Sequence, residues 1–398
     1  MFLDFYREEL AKDLETKKML VLHDANIDLL HVIDEGSLLR SLESYKKCYR
    51  STGGLEKAVL RILELASTTG GEIMIDDMRE DFNNFKPFLQ KNSKRIIFTL
   101  GGNAGNTSIA LSRLGAMAWI STAIRDDKYG RWIRAYLREN GVMTDLLKVL
   151  DGSREEAMTF GIEIPQRDRG FLNDSSDIRD FRVADTTQEF DGVLMLGLHK
   201  LKSGFDRALE FVKTVHGKVI SDGGDYFSLS AGNVELLFEI FRNTDLCCMN
   251  ETELAFCLSA LGINSKSERD ALSIFESAEK LRNALDLNVL NVHTELFSFD
   301  LSKDRLLVLP TLEPRRISVK TGLGDAYVAG KSFGFLQSER QGLALGNANA
   351  MVKLEKGDFP TREEIRKRSK TIKIKERGRE EVESLIKELG AETVEIKI

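Results

Sequence analysis

Residues 319–330 read VKTGLGDAYVAG. Two glycines bracket Leu323, Asp325 follows, and a run of small residues with helical character comes next. One use for this arrangement is structural. Asp suits the start of a helix, and Gly suits the tight turn before it. The other use is chemical. A helix N-terminus carries unpaired N–H groups and a partial positive charge, so it gathers anions, and glycines let the backbone approach a phosphate closely. An Asp held there can accept a proton from a hydroxyl that attacks the phosphate. The stretch alone permits both readings, and the residues around it have to decide.

Working upstream, the chain from about residue 190 alternates between strand and helix. FDGVLMLGL, KVISDGG, TDLCCMN and NVLNVHT read as short buried strands. FDRALEFVKTVHG, AGNVELLFEIFRN and SERDALSIFESAEKLRNAL carry apolar residues at helical spacing. Such alternation predicts a mostly parallel sheet with crossover helices, an α/β fold. Further up, MLVLH, RIIFTLGG and AMAWISTAI read as strands, while NTSIALSRLG and DKYGRWIRAYLRENG read as helices ending at Gly115 and Gly141. Segment 37–92 is largely helical in pattern, and 145–185 is strand-like and polar. These two segments predict a smaller α+β lid over 28–98 and 145–185. The large α/β domain then comprises 1–27, 99–144 and 186–398, its charged tail 361–398 reading as helix and strand.

Several polar clusters fall at predicted strand ends. Asn26 and Asp28 in NID offer donor and acceptor groups suited to sugar hydroxyls, although an Asx turn would use them equally well. GGNAGN, 101–106, lacks the spacing of a dinucleotide fingerprint. It is either a plain turn between strand and helix, or a place where Gly101, Gly102 and Asn103 hydrogen-bond a polyol. NETE, 250–253, puts Asn250 and Glu253 after a strand. There they can order the waters of a Mg²⁺ ion, or form a capping box, or both. His293 in VHT faces either a nucleotide or the core. The five histidines show no metal-ligand spacing. Arg167, Arg169, Arg179 and Arg182 lie in one polar stretch, where an arginine can hold a phosphate or simply be solvated.

The order NID, GGNAGN, NETE, VHT, TGLGD resembles the ribokinase-like (PfkB) superfamily of sugar kinases. Within it, the chain is most similar to the ADP-dependent glucokinases and phosphofructokinases. Asp28 and Gly101 lie 73 positions apart, and that family carries helical lid insertions at this place. The resemblance covers roughly 19–360 as a string of motifs. It implies a three-layer α/β/α domain with a lid, and Mg²⁺-dependent phosphoryl transfer from a nucleotide, ADP by preference or ATP, to a sugar or sugar phosphate. Asp325 would be the general base, and the backbone of Gly322, Leu323 and Gly324 the anion hole. Asn26, Asp28, Gly101, Gly102 and Asn103 would grip the sugar, with Arg179 or Arg182 on a phosphate. His293, Thr294, Thr321 and Asn347 are expected at the nucleotide, and Asn250, Glu253 and Asp222 at the metal. The stretch VISDGGD keeps only an acid, Asp222, where the family has His-x-Glu. The other readings are an ATP-dependent kinase of a nucleoside or other polyol, and a catalytically silent binding protein on the same fold.

The bulk numbers agree with a soluble enzyme. The chain has 398 residues, enough for a large domain and a smaller one, and 42% of them are hydrophobic. A net charge of −6 gives no basic footprint for nucleic acid. No apolar stretch reaches membrane-spanning length, and the amphipathic start is unlike a signal peptide. The cytoplasm is therefore the expected compartment, with the four cysteines as buried free thiols. The 30% of charged residues leans in the direction reported for thermophile proteins. A monomer and a lid-mediated homodimer fit the sequence equally.

Overall fold

The computed structural model describes residues 1–48, 59–60, 71–74, 87–151, 158–163, 169–174, 180–184, 186–201, 203–222, 231–264, 270–318 and 321–398. Its main sheet has nine strands. In chain order these are β1 (Lys18–Leu22), β5 (Met117–Ser121), β10 (Gly192–Met195), β11 (Lys218–Asp222), β12 (Leu246–Asn250), β13 (Leu290–His293), β14 (Phe297–Leu301), β15 (Arg305–Pro310) and β16 (Glu395–Lys397). They lie in the order β16-β15-β14-β13-β12-β11-β10-β1-β5. From β13 to β5 every pairing is parallel, and from β13 to β16 every pairing is antiparallel. Strands such as LCCMN and KVISD read as continuous apolar runs because helices cover both faces of a parallel sheet.

A second sheet of five strands has the order β3-β9-β8-β2-β4. Its members are β2 (Asn26–Ile33), β3 (Gly71–Met74), β4 (Ser93–Gly101), β8 (Met158–Glu163) and β9 (Arg169–Asp174). Segment 37–92 is thus not helical throughout: helix Glu35–Cys48 is followed by β3. The second sheet also reaches further than the segments expected for a lid. β2 starts at Asn26 and β4 runs to Gly101, where the two pair (Asn26↔Gly101). A small parallel pair, β6 (Ala123–Arg125) and β7 (Lys148–Leu150), lies apart from both sheets.

The chain passes from the main sheet to the second one between Leu22 and Asn26, and returns at Gly101 into helix Asn103–Leu114. Both crossings are tight. His23 takes a φ of 100°, unusual for a residue with a side chain. Gly102 has a φ of 82°, and a Cβ there would lie 2.6 Å from the Asp24 carbonyl oxygen. The crossings therefore bring Asp24, Asn26, Gly101 and Asn103 to the C-terminal edge of β1.

Helix Leu323–Phe335 runs through the middle of the molecule, buried from Ala326 to Gly334. Its partner, helix Glu339–Lys356, packs so closely that a Cβ at Gly330 would sit 2.6 Å from the Leu345 carbonyl oxygen, and one at Gly334 2.7 Å from the backbone of Gln341. The small residues that made AYVAGKSFG look featureless are what lets two backbones touch. One buried cation sits in this helix. Lys331 Nζ is 2.5 Å from Asp300 Oδ2 on β14, both side chains fully buried. The tail helices Arg362–Ser369 and Glu376–Glu388 lead to β16, which covers the edge of β15.

Candidate active site

Two helix N-termini meet at the edge of β1. Helix Leu323–Phe335 begins after Gly322, whose φ of 72° is the left-handed conformation open to glycine. Helix Asn103–Leu114 begins after Gly102. Between them stands Asp325. Asn106 Nδ2 donates to its Oδ2 at 2.9 Å, and Asn103 Nδ2 approaches its Oδ1 at 3.4 Å. Positions 103 and 106 lie three apart on one helical face, so both amides point at the same carboxylate.

Behind Asn103 lies a buried ion pair. Lys200 Nζ, in the short turn Leu198–Lys200, donates to Asp24 Oδ2 at 2.9 Å and to Asn103 Oδ1 at 3.3 Å. Asp24 Oδ1 accepts from the backbone N–H of Asn103 at 3.0 Å. Burial pushes the Asp24 carboxyl up, but Lys200, His23 and His199 outweigh it and hold it below the ordinary value. Asp325 goes the other way. Burial raises it most and Asp24 raises it further, against the Asn106 hydrogen bond, Lys200 and Lys353, so its carboxyl is pushed up to about 7. A carboxylate poised near neutrality is suited to taking up a proton at physiological pH.

The surroundings leave room for a ligand. A Cβ at Gly324 would meet nothing within 4 Å, so the backbone there faces open space. A cavity of about 470 Å³ adjoins it, lined by Asn106, Thr321, Gly322 and Lys353 on one side and by Leu30, Arg95, Ile97 and Thr99 of the second sheet on the other. Thr321 Oγ1 is buried and has no hydrogen-bond partner among the described residues. On the side of the second sheet, Asn26 Nδ2 donates to Thr159 Oγ1, and Asn26 Oδ1 is buried with no partner among the described residues. The Asp28 carboxylate lies against Gly101 so closely that a Cβ there would overlap it, at 1.9 Å. The structure thus gathers Asp325, Gly322, Leu323, Gly324, Thr321, Asn26, Asp28, Gly101, Gly102 and Asn103 around one edge.

Other expected residues lie elsewhere or have other work. Arg179 is outside the described residues. Arg182 pairs with Asp180 at 3.4 Å and lines a different cavity, of about 690 Å³, with Thr122, Lys148 and Arg207. Asn347 corrects an expectation. Its amide is buried and donates to Tyr6 Oη at 2.7 Å and Ser298 Oγ at 2.8 Å, which spends it inside the core. The Thr294 hydroxyl is taken up by the β13–β14 turn, accepting from the N–H groups of Leu296 and Phe297. His293 stacks on Tyr327 at 4.4 Å, and burial lowers it to about 4, so it is neutral at physiological pH. Asn250 and Glu253 form the capping box: Asn250 Oδ1 accepts from Glu253 N at 3.0 Å, and Glu253 Oε2 from Asn250 N at 2.8 Å.

Two of the residues expected at a Mg²⁺ ion lie on adjacent strand ends. Asp222 ends β11 and Asn250 ends the adjacent β12, and the charges of Asp222 and Glu253 both act on the buried Cys247 thiol. The set is all oxygen, as a hard cation requires. No cluster of three or more His, Cys, Asp or Glu forms a direct metal cage among the described residues, so a bound ion would keep much of its water.

The start of helix Leu323–Phe335, with its raised Asp325, thus stands beside a cavity lined by the second sheet. Comparison with known proteins places the protein: residues 69–359 match the pfkB family carbohydrate kinase model, and the chain belongs to that family, whose members transfer phosphate to a hydroxyl acceptor. It is 25% identical over 284 residues to Fructokinase-1 of Zea mays, covering 66% of this chain and 84% of that one. Its fold matches Arabidopsis thaliana ribokinase complexed with ribose and ATP, at a TM-score of 0.63 and 14% identity over 89% of this chain and 99% of that one. It also matches Schistosoma mansoni adenosine kinase in complex with 2-fluoroadenosine, at a TM-score of 0.65 and 12% identity over 88% and 100%. These structures establish the ribokinase-like fold. The family is reached at the level of pfkB kinases, and the narrower ADP-dependent branch is not singled out by these matches. No helix among the described residues is long and apolar enough to cross a membrane.

The sequence reading passed over five residues of the site: Asp24, Arg95, Asn106, Lys200 and Lys353. Asn106 was visible in GGNAGN by its helical spacing from Asn103. Asp24 lies two residues before Asn26 of the NID motif. Lys200 and Lys353 carry no local signal, because each reaches the site from a distant element.

Proposed function

We propose that the protein transfers the γ-phosphoryl group of ATP to a hydroxyl of a sugar or nucleoside, with Asp325 as general base. The observation that carries this reading is the Asp325 carboxylate at a helix N-terminus, oriented by Asn103 and Asn106 and raised to about 7 beside the open face of Gly324. Asn26, Asp28 and the Gly101–Gly102 backbone hold the acceptor by its hydroxyls. The acceptor hydroxyl gives its proton to Asp325 as its oxygen bonds to the γ-phosphorus. The bond from that phosphorus to the bridging oxygen breaks, and the nucleoside diphosphate leaves. The N–H groups of the Gly322–Gly324 turn face the phosphoryl oxygens in flight. Asp222, Asn250 and Glu253 would hold Mg²⁺ through water, and the ion would offset charge on the phosphates. Thr321 and Lys353 border the same cavity and face the nucleotide. Arg95 reaches it from the second sheet, whose approach would exclude water and direct phosphate to the acceptor.

ATP is favoured as donor by the likeness to a ribokinase complexed with ribose and ATP. One observation favours ADP: the long segment between Asp28 and Gly101, which resembles the insertions of ADP-dependent sugar kinases. Purified protein with Mg²⁺, a panel of hexoses, pentoses, sugar phosphates and nucleosides, and either ATP or ADP separates the two. Turnover with ATP is expected. Turnover with ADP alone would transfer the protein to the second reading. Asp325→Ala should lower kcat by about 10²–10⁴-fold with the fold retained, and an undiminished rate would remove Asp325 from the mechanism.

A further inference from the structure

We propose that Lys200 is a positioning residue for the base: it fixes the Asn103 amide so that its N–H side faces Asp325, and it neutralises Asp24, which is bonded to the backbone of that same Asn103. This deepens the kinase reading and rests on it for the role of Asp325. An amide side chain turned by half a rotation presents oxygen where it presented N–H. At Asn103 the two ends are distinguished by their partners. Oδ1 accepts from Lys200 Nζ at 3.3 Å, and Nδ2 points to Asp325 Oδ1 at 3.4 Å. A flipped Asn103 would set its carbonyl against the carboxylate and lose the lysine, so the cation selects the working orientation. Lys200 is only 5% exposed and Asp24 2%, so their pairing at 2.9 Å is little screened by water.

The charges that bear on Asp325 among the described residues are Asp24, Lys200 and Lys353, and His23 and His199 act on Asp24. Lys200 donates to both the acid and the amide, Asp24 Oδ2 and Asn103 Oδ1. Without it, Asp24 loses its largest positive counter-charge beside Asp325, and the proton on Asp325 is held more tightly.

The test compares Lys200→Met, Lys200→Gln and Lys200→Arg with the parent, each checked for fold by circular dichroism and thermal melting. Lys200→Met should lower kcat by about 10²-fold, the order expected when a catalytic group is misplaced, and move the acid limb of the kcat/KM profile to higher pH. Lys200→Arg, which keeps charge and donors, should recover most of both. Adding Asp24→Asn to Lys200→Met should return the acid limb toward its parent position while kcat stays low, because Asn103 remains unanchored. A folded Lys200→Met with parental kcat and an unmoved acid limb would overturn the proposal. Carboxyl ¹³C NMR, with Asp325→Asn identifying the resonance, gives a readout independent of turnover. Asp325 should titrate at higher pH in Lys200→Gln than in the parent, and an unchanged titration would also overturn it. A parent that phosphorylates nothing with either nucleotide, but whose Asp325 titration moves in Lys200→Gln, would sink the kinase reading and leave the coupling standing.

Discussion

Asp325 began as a residue with two possible uses, and its surroundings give it a measurable signature. In the folded protein its carboxyl keeps a proton up to about pH 7, whereas in the unfolded chain it loses it near 4. Between those values the folded state binds more protons, so its stability contribution is fully present at low pH and is lost as pH rises toward 7. Asp325→Asn, which removes the ionisation, should therefore melt higher than the parent at pH 8, with the gap closing by pH 4. Activity runs the opposite way, since a general base must be ionised: kcat/KM should rise with pH and level off above about 7. Gly324→Ala isolates the anion hole. Open space around that position admits the methyl group, so stability should be unchanged or up by less than about 1 kcal/mol. Turnover should drop by about 10²-fold, the cost of spoiling one oxyanion donor. At this scale the sequence was informative where residues sit next to one another in a turn, as in GGNAGN and TGLGD. It was silent on Lys200 and Lys353, whose partners lie far away along the chain. It misplaced Asn347, because a polar residue in a helix looks the same whether it bonds a ligand or Tyr6.

Helices and strands were more legible than side chains, and the exceptions have physical causes. The parallel strands were found by their short apolar runs and the glycines or acids that follow them. The hairpin β14–β15 was left unassigned because FSFDL is buried throughout, RLLVLP is buried at all but Arg305, and neither shows alternation. β3 is four residues long among helical patterns, and its pairing partner β9 lies about a hundred residues away in sequence. Helix Leu323–Phe335 gave almost no periodic signal, since it is buried on nearly all sides. That burial makes its one cation a critical element. Lys331→Met would leave Asp300 buried and unpaired, at a cost of about 3–5 kcal/mol by denaturant unfolding. Asn291 also donates to Asp300, at 2.8 Å, so Asp300→Asn added to Lys331→Met should recover part of the loss. A double variant as unstable as the single one would show that Lys331 stabilises by packing and not by charge.

At the scale of the whole molecule, segments 28–98 and 145–185 were read as a lid, and neither a second sheet nor any strand register was read. The main sheet has an additional feature. Its antiparallel end is completed by β16, only three residues long, paired to β15 and held by Arg305 and Arg340, which both reach Glu395 at 3.1 Å. Arg340 also holds Glu9 of helix Phe2–Ala11, at 2.7 Å. On a ribosome, β15 and its apolar neighbours emerge some eighty residues before the strand that covers them. A nascent chain therefore carries an uncapped edge of RLLVLP, the kind of surface that pairs with other chains. Deleting 391–398 should raise the aggregated fraction on expression at 37 °C well above that of the full chain, and co-expressed chaperones should lower it again. If this edge governs yield, the protein's tolerance of crowding and heat during synthesis is decided by a short strand translated long after the sheet it covers, far from the phosphate chemistry.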